Sequence, residues 1–311
     1  MVHILIHPYI GSHVSLVNPS SLHKVVCRPA LPKDSADVLE FTKYIWDGED
    51  YIPFVWHKWL ADPEGLLAAA EYAGHAVGIG KLTLLSPGQW WLEGLRVDPA
   101  CEDRGIASHL NDYLMGQWLE FGDGIVRLAT ASYRVKVHHL CERSNFIKIN
   151  ELSVFAAPVL PGAIPDFQPL TPDDVPRAVE LALCSQSMSL SAGMMDIGWK
   201  YLKPCEKRMT EMVEGQKIWW WRQGEGLLAF WEDENPEERP VPVVSILACE
   251  IKDIPNLLMD YRRLAANLGY EETAWFAPLK PKLLPLLEGA GFKRDWEDAL
   301  YVYEKQSPIP K

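Results

Sequence analysis

Two tandem α/β (α+β) domains, each a mixed sheet flanked by helices, are the fold this sequence predicts, on three observations. At 311 residues the chain exceeds what one hydrophobic core usually organises, and two domains of about 150 residues are the expectation. A helix-start signal occurs twice: residues 28–43, RPALPKDSADVLEFTK, align with residues 168–183, QPLTPDDVPRAVELAL. The closing segments also match, NFIKINELSVFAAP from Asn145 with GFKRDWEDALYVYEK from Gly291. Between these markers each copy runs through a β-rich middle, one amphipathic helix, a strand and a short helix, so one order of elements is laid down twice.

Taken in order, residues 1–23 read as an N-terminal extension without the basic start, long apolar run or cleavage signal of a targeting peptide. His3, His7 and His13 lie there without carboxylate or thiol companions at ligand spacing, so no metal is expected. The first domain is placed at residues 24–157. Asp34 is the expected cap of its first helix, and Val38, Phe41 and Ile45 give that helix an apolar face. Its strands LLAAAEY, HAVGIGKLTLL and WWLEGLRV are separated by the turn signals Ala73-Gly74 and Pro87-Gly88. The boundary falls in PVLPGAIPDF, with three prolines in residues 158–165, and the second domain takes residues 158–311. There Thr171, Pro172 and Asp174 supply cap, first-turn proline and capping-box acid. The strands KIWWWRQ, GLLAFWED and VPVVSILAC follow, then a helix with apolar positions at Ile254, Leu257, Leu258, Tyr261, Leu264 and Leu268.

The formal charge of −12 argues against a sequence-independent nucleic-acid binder, which needs surplus Lys and Arg against phosphate. No apolar stretch is long enough to span a bilayer, so no membrane partner is expected. Six scattered cysteines with no CxxC pair fit a reduced, cytoplasmic setting.

The most informative stretch is residues 90–120, WWLEGLRVDPACEDRGIASHLNDYLMGQWLE. A mostly apolar strand runs through Asp98-Pro99 into a loop, Gly105, and an amphipathic helix. Free N–H groups and the dipole at a helix start attract an anion, and glycine lets the backbone come close to it. The segment resembles motif A of the GNAT superfamily of acyl-CoA-dependent N-acyltransferases, in which a strand ending near V-x-P leads to [Arg/Gln]-x-x-Gly-x-[Gly/Ala]; Gly105 and Ala107 meet the pattern. The resemblance covers residues 24–157 and implies a centrally splayed sheet with CoA in the first copy. It implies that Leu95, Arg96 and Val97 are the pantetheine-pairing edge and that Arg104, Gly105, Ile106, Ala107 and Ser108 cradle the pyrophosphate. Glu102 stands where the family has Arg or Gln and, with Asp103, opposes a diphosphate by ~1 kcal/mol per charge in a solvated setting.

Downstream, VRLATASYRVKVHHLCERSNF resembles the family's N-x-x-A-x-x-L-Y-x-x-x-G-F close, with Arg134 for the Asn, Cys141 for the Tyr and Asn145 for the Gly. Arg134 is counted with the cofactor-binding positions. Cys141 falls on the family's usual proton donor to the departing thiolate and reads either as that donor or as a small buried thiol. Glu93 occupies the common general-base position, among the apolar neighbours Trp91, Leu92 and Leu95 that would raise its pKa; the alternative is an ordinary strand glutamate.

The resemblance places the acceptor pocket along YIWDGEDYIPFVWHKWL. Trp46, Tyr51, Phe54, Trp56 and Trp59 offer aromatic walls, and Asp47, Glu49 and Asp50 offer charge for an ammonium group. DGEDYIP, the WL-DPEG turn and EGLRVDP also look like the histidine N-alpha-acetyltransferase group, over about residues 45–110, which points to an amino acid or similar small amine. In the second copy Gly105 falls on Asp253 and Ala107 on Pro255, which predicts a GNAT-like fold lacking a cofactor loop. The sequence therefore predicts transfer from acetyl-CoA to a small-molecule primary amine. Two alternatives stand beside it: an acyl-CoA-binding sensor, and an interaction protein using Trp90, Trp91 and Trp219 to Trp221.

Overall fold

The computed structural model describes residues 24–121, 124–163, 165–233 and 239–308; His3, His7, His13 and the extension read at residues 1–23 lie outside them. The described chain forms two compact units, each discontinuous in sequence. The N-terminal unit runs to Arg127 and takes back His139–Asn145 and the segment from Lys305; the C-terminal unit holds Leu128–His138 and Phe146–Glu304.

In the N-terminal unit β1 (Val26–Pro29) leads to helices α1 (Ser35–Phe41) and α2 (Ile52–Leu60). The strands β2 (Leu66–Tyr72), β3 (His75–Ser86) and β4 (Gln89–Val97) form an antiparallel meander with β1 at its edge. Ala73 and Gly74 both take positive φ, at 52° and 87°, the backbone that a tight hairpin demands. α3 (Ile106–Phe121) follows, then β5 (Ile125–Ala131), which crosses the unit boundary after Arg127, as α4 (Val135–Arg143) does after His138. The core beside the meander joins Val38 and Phe41 of α1 with Ile52, Trp56 and Trp59 of α2. Ile106, Leu110, Leu114 and Trp118 of α3 are also buried, at the helical spacing read from the sequence, each stabilising by about 1.5–3 kcal/mol.

Asp34 does not cap α1 with its side chain. Its carboxylate accepts the Leu31 N–H at 2.7 Å and is gripped by Arg28 at 2.8 Å on both oxygens. Asp174 repeats the local part of this in the second copy, accepting from the Thr171 N–H at 2.9 Å and hydroxyl at 2.7 Å, so the two helix starts are one device.

The C-terminal unit begins its sheet with β6 (Ile147–Pro158) and β7 (Phe167–Pro169). Then come α5 (Val175–Cys184), α6 (Gln186–Leu190), the small hairpin β8 (Met195–Asp196) and β9 (Tyr201–Leu202), and α7 (Glu206–Glu214). β10 (Ile218–Trp221), β11 (Gly226–Asp233), β12 (Val241–Ala248), α8 (Ile254–Asn267) and β13 (Glu272–Pro278) follow. The chain closes with α9 (Leu284–Gly289), β14 (Lys293–Arg294) and β15 (Leu300–Gln306). The strand order is β15-β6-β13-β12-β11-β10-β7. β6, which the sequence places at the end of the first domain, hydrogen-bonds to β13 across Leu152–Pro158 and to β15 on the other side. That exchange is why the compact units are not the contiguous halves 24–157 and 158–311.

Trp219, Trp220 and Trp221 are buried in this unit, with Trp219 stacked on Phe230 and the Trp221 indole donating to Asp260 at 2.9 Å. Trp90 and Trp91 are buried in the other unit. The alternative in which these tryptophans serve partner binding gains no support: they are core.

Candidate functional site

The site begins with an irregularity in β4. Ile79 faces Arg96 and Lys81 faces Glu93, so three residues of β4 span what two of β3 span, and the extra residue is a β-bulge at Gly94–Leu95. Gly94 takes φ +65°, and a Cβ there would stand 2.5 Å from the Trp59 ring, so conformation and packing both demand glycine. β4 pairs in parallel with β5 only over Gln89–Trp91. Past that point Leu95, Arg96 and Val97 continue beyond the recorded ladder.

Glu93 sits immediately before the bulge, half-buried. The Thr83 hydroxyl donates to its Oε1 at 2.6 Å, fixing the carboxylate, a contact that sequence reasoning missed. Lys81, opposite in register, is fully buried and turns to Asp62. Asp62 also accepts from Glu64 N–H at 3.0 Å, so the DPEG turn serves as counter-ion mount for a buried lysine.

Beyond the bulge Asp98 accepts from the Ala100 N–H at 2.9 Å, and the loop runs to Gly105, whose φ of +76° precedes α3 directly. A Cβ on Gly105 would meet nothing nearer than the His109 ring at 3.7 Å; the glycine is required by backbone conformation. Ile106 is buried, Ala107 and Ser108 are half-buried, and Arg104 is exposed, its guanidinium 5.8 Å from the Tyr72 ring centroid. The first N–H groups of a helix have no intrahelical acceptor, and a left-handed glycine with open space beside it is a cradle that fits a diphosphate. Glu102 and Asp103 are exposed in the same loop.

The acceptor segment is arranged differently from the expectation. Asp50 is buried, and Arg96 donates to both its oxygens, at 2.9 and 3.1 Å. The same guanidinium lies 4.2 Å from the Trp46 ring centroid and 5.2 Å from that of Tyr51. Asp50 therefore does not present a free charge to an amine; its charge is spent on Arg96. Tyr51 is 38% exposed, while its phenol is pushed up to about 12, by burial first, with Glu93 and Asp50 adding and Arg96 opposing. Trp46 and Asp47 hold left-handed φ of 50° and 55°, strain of about 1–3 kcal/mol each that the Arg96 contact helps to hold. Asp47 and Glu49 are exposed, as is Phe54, whereas Trp56 and Trp59 are core. The pair Asp50–Arg96 links DGEDYIP to EGLRVDP across 46 residues, too far for any periodicity to reveal.

Cys141 is buried, and burial pushes its thiol up to about 12, the behaviour of a core thiol. Arg134 opens α4 in the other compact unit, with its guanidinium 5.7 Å from the Tyr133 ring centroid. Among the described residues no group of three or more His, Cys, Asp and Glu is placed to hold a metal ion, and no helix is long and apolar enough to cross a membrane.

The second copy keeps the bulge and has no glycine before its helix. Ala229 faces Ile246 and Phe230 faces Val244, which puts the extra residue of β12 at Ser245. Matching the bulges sets Ser245 against Gly94 and Val244 against Glu93. The loop before α8 is 249–253, five residues against eight in 98–105. Asp253, before the helix, has φ −92°, and Pro255 lies in the first turn. The strand end is already engaged: Ser187 N–H donates to Cys249 O at 3.2 Å, Ser187 Oγ to Leu247 O at 2.7 Å, and Cys249 N–H to Ser187 Oγ at 2.8 Å.

In the N-terminal unit a bulged strand thus leads through a glycine loop into a helix start. Residues 34–146 match the Acetyltransferase (GNAT) family. Among its relatives, a probable N-acetyltransferase 16 of Homo sapiens is 31% identical over 85 residues, 27% of this chain and 23% of that protein. A histidine N-acetyltransferase of Xenopus tropicalis is 28% identical over 85 residues, 27% and 26% of the two chains. The match thus spans about a quarter of the length of these curated relatives. A tandem GNAT protein from the clavulanic acid biosynthesis pathway has the same fold, with TM-score 0.57 at 10% identity, covering 93% of this chain and all of that one.

Proposed function

We propose that the chain is an N-acetyltransferase that moves an acetyl group from acetyl-CoA to the primary amine of a small molecule by direct transfer, in the first copy, residues 24–157. The observation that carries the reading is the bulge at Gly94–Leu95: Glu93 stands immediately before it, and of the pantetheine-pairing candidates Leu95 lies in it and Arg96 and Val97 follow, leading to Gly105 at the start of α3. Acetyl-CoA, as cosubstrate, supplies an activated thioester. Arg104 to Ser108 would hold its diphosphate through backbone N–H groups. Glu93, oriented by Thr83, accepts the proton of the acceptor ammonium directly or through water, freeing the amine for attack.

The exposed Asp47 and Glu49 favour a cationic acceptor, with Trp46 and Tyr51 beside them. The printed names of the two relatives support an amino acid as the first acceptor class to try. Burial of Cys141 speaks against it as proton donor, and water is the better source for the departing thiolate. Six free cysteines support a reducing, cytoplasmic setting. The second copy, residues 158–311, is assigned no CoA: its strand edge is engaged by Ser187, and Asp253 replaces the glycine.

Incubation with acetyl-CoA and separate pools of amino acids, polyamines, aminoglycosides and peptide N-termini, read as free thiol, tests the reading. Amine-dependent thiol release is expected. Stoichiometric CoA binding with no release from any pool favours the sensor, the reading that buried Cys141 supports. Failure to bind CoA at all removes both.

A further inference from the structure

The segment 46–51 makes a turn that residues with a Cβ seldom adopt. Trp46, Asp47 and Gly48 take φ of 50°, 55° and 95° in succession. Left-handed backbone is costly for every L-residue except glycine. It persists where its surroundings over-determine it, and it gathers at ligand clamps.

One side chain reaches both ends of this turn. Arg96, 11% exposed, stands on β4 just past the bulge, on the same strand as Glu93. Its Nε and Nη2 donate to the two oxygens of Asp50 at 2.9 and 3.1 Å, and its Nη1 donates to Leu95 O at 3.2 Å. The planar group lies against the rings of Trp46 and Tyr51, 4.2 and 5.2 Å from their centroids. Tyr51 carries the connection further. Its ring stands edge-on to Trp59 at 6.1 Å, and the Arg96 cation and the Glu93 carboxylate both act on its hydroxyl. The turn that exposes Asp47 and Glu49 is thereby held within electrostatic reach of Glu93.

Arginine suits this task and lysine does not. A guanidinium bonds two carboxylate oxygens in one plane and stacks its face on an aromatic ring, whereas an ammonium is a point charge on a flexible stem. A buried ion pair adds little stability over apolar side chains of the same size, so stability is a weak reason for Asp50–Arg96 and placement of the turn a stronger one. We infer that Arg96 is a positioning residue for the acceptor amine: by gripping Asp50 and stacking on Trp46 and Tyr51 it fixes the turn 46–51 beside Glu93. The inference rests on the proposed transfer reaction. It gives the side chain of Arg96 to acceptor recognition and leaves its backbone to the pantetheine edge.

The test compares the native full chain with Arg96→Lys and with the double variant Asp50→Leu, Arg96→Met, using acetyl-CoA and whichever amine of the four pools releases thiol fastest. In Arg96→Lys the KM for that amine should rise about tenfold, with the KM for acetyl-CoA and the kcat at saturating amine within about twofold of native. The double variant exchanges the ion pair for apolar side chains of similar size. It should unfold at the native urea midpoint and still show the raised amine KM, whereas a purely structural role predicts that both return to native together. Hydrogen exchange gives a readout without substrate: amides of residues 46–51 should exchange faster in both variants, while those of β2 and β3 keep their native protection. A native amine KM in Arg96→Lys, an equal rise in the KM for acetyl-CoA, recovery of the amine KM in the double variant, or unchanged exchange at 46–51 each overturns the inference and leaves the transfer reading standing. No amine-dependent thiol release from the native chain removes the transfer reading and this inference with it.

Discussion

In the N-terminal unit the bulge of β4 follows Glu93, and the deeply buried carboxylate Asp50 is neutralised by Arg96 on both oxygens. In the C-terminal unit the bulge of β12 follows Val244, and the buried carboxylate Asp196 stands in no ion pair among the described residues. The backbone deviation is common to both; the charges around it are not. A duplicated scaffold can therefore keep the strand irregularity that opens a sheet while each copy redistributes the ionisable groups around the opening. The loop that follows diverges in the same sense: a left-handed Gly105 in one copy, a right-handed Asp253 in the other.

The largest expected effect comes from Asp196, buried and hydrogen-bonded but with no cation beside it among the described residues. Its folded pKa, about 7, lies above the ordinary value near 3.9. Between those values the folded chain holds a proton that the unfolded chain has lost. The contribution is therefore full below about pH 4 and disappears as pH rises through about 7, by up to ~4 kcal/mol. Urea unfolding at pH 5 and pH 8 should show the native chain losing stability across this window and Asp196→Asn losing much less; equal slopes would show that the two buried aspartates do not differ as described. For the paired aspartate, Asp50→Ala strands Arg96 and should cost about 3 kcal/mol by the same measurement. A loss below about 1 kcal/mol would mean that Arg96 is solvated.

At the bulge, Glu93→Gln should lower kcat on the order of a hundredfold with CoA affinity unchanged, most severely at low pH where the acceptor amine is protonated. The mirror change Val244→Glu should add no turnover. Normal rates in Glu93→Gln across the pH range would move the proton path to water. One step smaller, Gly105→Val forces a β-branched residue to φ +76° and should weaken CoA binding about tenfold, ~1.4 kcal/mol. Asp253→Gly should leave the stoichiometry at one CoA per chain, by calorimetry.

The repeat, the hairpins and the glycine loop were legible because each is local: periodicity, turn dipeptides and a strand-to-helix junction lie within about 30 residues. What escaped notice was set by partners distant in sequence. Asp50 reads as a free acid in DGEDYIP until Arg96, 46 residues on, reaches it. The tryptophan run at 219–221 does not alternate because its strand lies between β7 and β11 with all four residues buried. The exchange of β6 into the C-terminal unit has no sequence signal of its own; its burial pattern suits either sheet. The burial of Asp196 has no local signal, because an isolated aspartate two residues before a glycine is ordinary turn chemistry.

The smallest expected effect concerns Ser187, which engages the strand edge of the second copy. Its hydroxyl donates to Leu247 O and accepts from Cys249 N–H, and its backbone N–H donates to Cys249 O. Ser187→Ala removes the two hydroxyl bonds and keeps the backbone one. The neighbouring Ser185 hydroxyl, already within reach of both Ser187 and Cys249 O, softens the loss. A cost of about 1 kcal/mol in urea unfolding is expected. The variant also asks whether the blocked edge or the missing glycine is what separates the copies. If the edge alone were decisive, freeing it would yield a second CoA equivalent per chain. On the proposal that Asp253 and Pro255 leave α8 without a diphosphate site, calorimetry of Ser187→Ala should find one equivalent, and a second one bound would make Ser187 the element that silences the second copy.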